Sequence, residues 1–142
     1  DLHRLPHFNP DAEPSEDVFV KDLTQRMRVA DGLIVSTPEY AHGVPGTLKN
    51  ALDWLVGTDA LIEKPFALLH ASDRSTHAPR SLIEILTTMS GLHVAKADVT
   101  IDLRRNDQEA DAILLDESNH AKIQASLAIL SQFILGRGSM RA

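Results

Sequence analysis

The stretch LIVSTPEYAHGVPGTLKNALDWL, residues 33–55, joins an apolar run to a helical pattern through a loop rich in Pro and Gly. Leu33, Ile34 and Val35 show no apolar–polar alternation. With Ser36 and Thr37 they read as a strand buried on both faces, the pattern of a parallel sheet. Pro45 suits the first turn of the next helix, where its missing N–H would be unpaired anyway. Leu48, Ala51, Leu52 and Leu55 recur at helical spacing and form one apolar face, with Gly57 near its end. Between strand and helix, Pro38 and Pro45 restrict both ends of the loop. Gly43 allows backbone conformations closed to other residues. The expected result is a stiff loop that displays backbone N–H and C=O groups near a helix N-terminus. Such a surface suits a flat polar ligand or an anion, and Tyr40 is placed to stack on it. Without a ligand, Pro and Gly only shape a turn, and Tyr40 and Trp54 are core residues. Trp54 also fits a subunit interface, with Asn50 and Asp53 as polar neighbours.

The same alternation extends both ways. Residues 1–14 hold three prolines and no clear period, and read as an extended entry loop. Ser15 is the expected N-cap of a helix with Phe19, Leu23 and Met27 on one face, ended by Asp31-Gly32. Residues 66–71 form a second continuous apolar strand, entered through Pro65. Pro79 opens a helix with Leu82, Ile85, Leu86 and Met89 inward, closed by Gly91. Residues 95–103 instead alternate: Ala95, Ala97, Val99, Ile101 and Leu103 against Lys96, Asp98, Thr100 and Asp102. This predicts a half-exposed strand whose charges protect a sheet edge. Residues 104–112 read as a charged connector. A last helix is expected over about residues 116–135, with Ile123, Leu127, Leu130 and Ile134 on one side. Gly136 should stop it and leave residues 137–142 as a loose tail.

Strands alternating with helices imply an α/β protein: a parallel sheet in a three-layer α/β/α arrangement, with right-handed crossovers. Residues 1–142 read as a single domain. Ligands of such sheets sit outside the carboxyl ends of the strands. Two loops leave buried strands there, residues 37–44 and 72–78.

Composition narrows the classes. A chain of 142 residues with 43% apolar and 24% charged content is that of an ordinary globular domain with a real core. The net charge of -6 argues against nucleic acid as a partner. No apolar run approaches membrane-spanning length and no signal-peptide pattern opens the chain, so a cytoplasmic location and no membrane partner are expected. With no cysteine, disulfides, thiolate nucleophiles and cysteine metal sites are excluded. Seven histidines invite a metal search. No His-Glu-x-x-His occurs, and Pro6 separates His3 from His7, so no metal site is assigned. His42 lies in the ligand loop. His70 reads as a hydrogen-bonded core residue, and His77, His93 and His120 as surface groups. Ser72, His42 and Asp73 make a hydrolase triad only on paper, because the Gly-x-Ser-x-Gly elbow is missing.

Pro38-Glu39-Tyr40, then His42-Gly43, then Pro45-Gly46, then Leu48-Lys49-Asn50-Ala51-Leu52-Asp53-Trp54 closely resemble the signature of the NAD(P)H-dependent FMN reductase family. The likeness extends more loosely over about residues 5–134 and takes in Ala30-Asp31-Gly32 and Lys64-Pro65. It implies a flavodoxin-like fold, FMN as cofactor and NADPH or NADH as reductant. The implied electron acceptor is a small molecule: a quinone, azo dye, free flavin or metal oxyanion. It also implies a homodimer or homotetramer. The flavin ring would lie against Thr37, Pro38, Glu39, Tyr40, Ala41, His42 and Gly43, largely through backbone contacts. Position 41 is often Asn in the family and is Ala here.

Two departures stand out. Family members begin with a strand and a Ser-rich or Gly-rich loop for the FMN phosphate. This sequence starts near the end of the second strand, so residues preceding Asp1 are expected in the natural protein. The second departure is a loop without Gly, in which Ser72, Asp73 and Arg74 are candidates to hydrogen-bond a flavin or a nicotinamide phosphate. Its other reading is a solvated loop whose Ser75 or Thr76 caps the next helix. Three functions follow: an FMN-dependent reductase, a flavin-bearing electron carrier, and an interaction domain that has lost the cofactor. No catalytic side chain is assigned, because the cofactor carries the hard chemistry.

Overall fold

A computed structural model describes residues 1–14, 16–71, 75–101, 103 and 110–141. Its order is α1 (Val18–Val29), β1 (Leu33–Val35), α2 (Gly46–Val56), β2 (Pro65–His70), α3 (His77–Thr88), β3 (Leu92–His93), β4 (Val99–Thr100), α4 (Ala110–Leu115) and α5 (Glu117–Arg141). Short 3-10 turns lie at Leu2–Arg4 and Ala95–Ala97. The sheet is parallel throughout. β1 pairs with one side of β2, with Leu33, Ile34 and Val35 opposite Phe66, Ala67 and Leu68. β3 and then β4 pair with the other side.

β2 is the centre, and its period of two sorts the core into two layers. Phe66 and Leu68 face one way, into a cluster with Leu52 and Leu55 of α2 and Leu82 and Leu86 of α3. Leu23 and Met27 of α1 pack against the same cluster. Ala67 faces the other way, towards Val94, Ala97 and Leu130, with Ile129 and Ile134 of α5 beside them. The order of layers is therefore α1–α2–α3, sheet, α5. Each fully buried Leu or Phe in such a core is worth about 1.5–3 kcal/mol.

This placement corrects the reading of β1. Leu33 and Val35 point into the first layer and are half-buried, whereas Ile34 shares the face of Ala67 and is 43% exposed. The strand is covered on one face only, because it lies at the sheet edge and α5 packs over β2. Gly32, just before it, is needed for that packing. A Cβ there would come within 2.8 Å of Ile134 Cδ1 and 3.1 Å of the Pro65 carbonyl oxygen.

Other boundaries shift for local reasons. The cap of α1 is Asp17, whose side chain accepts from the Phe19 and Val20 amides at 2.9 and 3.1 Å; the expected cap, Ser15, lies outside the described residues. The buried centre of α1 is Val20 and Thr24, flanked by Leu23 and Met27. At the other end of α1, Lys64 Nζ donates to the carbonyls of Arg28 and Ala30, a cation at a helix C-terminus. Pro45 is the N-cap of α2 rather than its first helical residue. The entry segment is tied to α2 through Pro6, whose carbonyl accepts from Trp54 Nε1 and Asn50 Nδ2, both at 2.9 Å. Trp54 is thus buried within the chain, edge-on to Phe8.

The alternating strand expected over residues 95–103 is broken. β3 and β4 are separated by the Ala95–Ala97 turn, and Asp98 fills the gap in the ladder. Its Oδ1 accepts from the Leu68 amide at 2.8 Å, and its Oδ2 lies 2.8 Å from His93 Nε2. His93 also stacks on Phe66 and is half-buried, not a surface group. Most of the expected connector, residues 104–109, lies outside the described residues, but Ala110 already begins α4. α5 runs through Gly136 to Arg141. A lone helical Gly costs about 1 kcal/mol, which does not by itself end a helix. Leu127, expected inward, is 40% exposed, and the buried line runs instead through Asn119, Ser126 and Leu130. Among the described residues no helix is long and apolar enough to cross a membrane.

Candidate functional site

The loop after β1 ends in a tight turn. Tyr40 and Gly43 exchange two backbone hydrogen bonds, of 3.1 and 2.9 Å. Between them, Ala41 and His42 have φ of 49° and 59°. Two successive left-handed residues closed in this way form a type I′ turn. Gly43 has the freedom for an unusual backbone but does not use it: no glycine has positive φ among the described residues. The strain falls on Ala41 and His42 instead. An L-residue pays roughly 1–2 kcal/mol to enter the left-handed region, and Asn enters it more readily than Ala. The Ala41 and His42 amides make no hydrogen bond among the described residues. Both residues are exposed, as is Tyr40 at 66%. Among the described residues the turn therefore presents two N–H donors without a partner beside an exposed aromatic ring.

Glu39 fixes this turn to the next helix. Its Oε2 accepts from the His77 and Ala78 amides at 2.8 and 2.9 Å. These are unpaired donors at the start of α3, which helices leave to be capped. Thr76 occupies the N-cap position but makes no side-chain cap bond, so the cap comes from 38 residues away. The two amides and the neighbouring His77 and His42 hold the Glu39 carboxyl below its usual range, against the opposing effect of burial; the Ala78 bond contributes most. The His42 and His77 rings stack at 4.2 Å, 9° from parallel. His77 Nδ1 lies 3.6 Å from Glu39 Oε1.

Thr37, Pro38, Glu39, Tyr40, Ala41, His42 and Gly43 thus lie in one loop beyond β1, against the N-terminus of α3. Ser72, Asp73 and Arg74 lie outside the described residues. His77, read as a surface group, joins the cluster. Its sequence signal was its place within the second loop, residues 72–78. A groove of 540 Å³ lined by Glu13, Lys21, Arg28 and Asp59 shares no residue with this loop.

An open parallel sheet with helices on both faces and a shaped loop beyond β1 defines a flavodoxin-like α/β protein. The structure matches FerB, a flavoenzyme NAD(P)H:(acceptor) oxidoreductase from Paracoccus denitrificans, with a TM-score of 0.77 and 26% identity. The match covers 92% of this chain and 75% of that one. Residues 1–106 match the family described as NADPH-dependent FMN reductase. The chain is 30% identical to an NAD(P)H-dependent FMN reductase of Pseudomonas aeruginosa, over 94% of this chain and 76% of the relative. It is 43% identical to a quinone reductase of Escherichia coli over 36% of this chain and 28% of the relative. The chain belongs to the NADPH-dependent FMN reductase family. It spans less than two thirds of several curated relatives that it matches, 41% of one and 51% of another.

Proposed function

We propose that this chain binds FMN along residues 37–43 and passes electrons from NADPH or NADH to a small-molecule acceptor, a quinone. The observation that carries the reading is the turn itself. Family membership supplies the expectation of a flavin, and the free amides of Ala41 and His42 are the donors a flat heterocycle with ring carbonyls requires. Bound FMN would supply the redox chemistry, accepting hydride from reduced nicotinamide and releasing two electrons to the acceptor. The chain's own part is placement. The type I′ turn orients the donors, Tyr40 covers a ring face, and Glu39 anchors the loop so that its geometry exists before binding. Ser72, Asp73 and Arg74 are proposed as hydrogen-bonding partners of the flavin or the nicotinamide phosphate. The E. coli relative's name supports a quinone as acceptor. A homodimer or homotetramer is supported by apolar side chains left exposed on α4 and α5, among them Leu115 at 81% and Phe133 at 38%.

An FMN titration followed by quenching of flavin fluorescence tests this reading. Saturable one-to-one binding, followed by FMN-dependent NADPH oxidation with a quinone, is the expected result. Absence of binding overturns the reading for this chain.

A further inference from the structure

We propose that Glu39, His42 and His77 form a binding site for a divalent transition-metal ion, such as Zn²⁺ or Ni²⁺. One ligand atom from each residue lies within 4.8 Å of the others. Nitrogen and oxygen ligands sit about 2.0–2.2 Å from Zn²⁺, so two ligands of one ion stand at most about 4.4 Å apart. One pair, His77 Nδ1 and Glu39 Oε1 at 3.6 Å, already meets that limit. Closing the rest requires the two exposed imidazoles, now stacked 9° from parallel, to rotate until their in-plane nitrogen lone pairs converge on the ion.

The carboxylate is prepared for the role. Two backbone amides hold Glu39 Oε2, which leaves Oε1 towards His77. A ligating carboxylate fixed by outer hydrogen bonds is the usual arrangement of a protein metal site. Two neutral imidazoles and one carboxylate supply nitrogen and oxygen ligands that suit Zn²⁺ and Ni²⁺ better than Mg²⁺ or Ca²⁺. Three protein ligands also leave a coordination position for water. The Thr76 hydroxyl, 3.4 Å from His77 Nδ1, is a weak competitor. A bound ion would clip the turn after β1 to the first turn of α3, at the point where Glu39 already joins them. Reading by local spacing misses the site, because Glu39 and His77 are 38 residues apart.

Nothing in this inference rests on flavin binding, and the test uses the flavin-free chain. Zn²⁺ is titrated by calorimetry, and Co²⁺ is followed by its visible absorption. One-to-one saturable binding is expected, weakened at least about ten-fold by His42→Ala or by His77→Ala. The double variant His3→Ala/His7→Ala should bind as the parent does. Affinity should fall in acid, because protons compete with the ion for its ligand atoms. Both site histidines are exposed, so the metal-free unfolding temperature should stay close to the parent's and separates lost ligands from a lost fold. Binding that survives in His42→Ala/His77→Ala, or no saturable binding at millimolar Zn²⁺, overturns the proposal.

Discussion

At the scale of single residues, Glu39 makes the most consequential contacts in the loop. Its carboxyl is held below the value of 4.5 that it has when free. The stabilisation it gives is therefore fully present above that value and is lost as pH falls through the lower folded value. Glu39→Gln keeps a carbonyl acceptor but no charge. It should lower the unfolding temperature near neutral pH, and the difference from the parent should shrink as pH falls below 4.5 and Glu39 takes up its proton. Thermal melts across that range check this; a gap that stays constant with pH would mean the charge contributes nothing. The shape of the loop was legible in the sequence, because Pro38, Gly43 and Pro45 punctuate it locally. In the sequence, Gly43 is the loop residue with the freedom for a left-handed backbone, because glycine is the cheapest residue there. The fold instead places the strain on Ala41 and His42, which the Tyr40–Gly43 bonds hold in a turn. The Glu39 cap was illegible for a different reason: sequence patterns record neighbours along the chain, and this cap crosses between two strand–helix loops.

At the scale of elements, the interrupted strand shows how a side chain replaces a backbone partner. The Ala95–Ala97 turn leaves the Leu68 amide opposite a gap, and Asp98 Oδ1 accepts from it. Asp98→Ala should destabilise the chain by about 1–3 kcal/mol, because a donor on the central strand loses its acceptor. Asp98→Asn keeps an oxygen for Leu68 and should cost less, while weakening the contact to His93. Urea unfolding of the two variants distinguishes them; equal losses would mean that Leu68 does not depend on this oxygen. Alternation over residues 95–103 placed Ala97 and Ile101 inward correctly. It could not show the break, since a 3-10 turn between two short strands keeps much of the same alternation. The end of α5 failed similarly. Gly136 is a local stop signal, but Ile134 packs beside Gly32 only two residues earlier, and tertiary contact outweighs the propensity.

At the scale of the whole molecule, the order of strands and helices was legible, because buried parallel strands are short apolar runs and surface helices repeat every three or four residues. Exposure of the sheet's two edges was less so, since it depends on what packs beside them. The β3–β4 side lies under α5, through Ala97 and Leu130. On the opposite side, β1 pairs with β2 alone among the described strands, and Ile34 remains 43% exposed. An apolar edge strand with no charged residue within it is a template for pairing with another chain. The flanking residues Gly32 and Ser36 bring no charge to this edge either. The chain should therefore self-associate as its concentration rises from micromolar towards millimolar, the range in which exposed strand edges act. Ile34→Lys puts a charge on the exposed face without touching Leu33 or Val35, which anchor the strand to the core. That variant should shift the population towards monomer in light scattering, with an unfolding temperature close to the parent's. If both remain monomeric at every concentration, the edge is inert. If both associate equally, association runs through another surface, and the exposed apolar side chains of α4 and α5 are the ones to charge next.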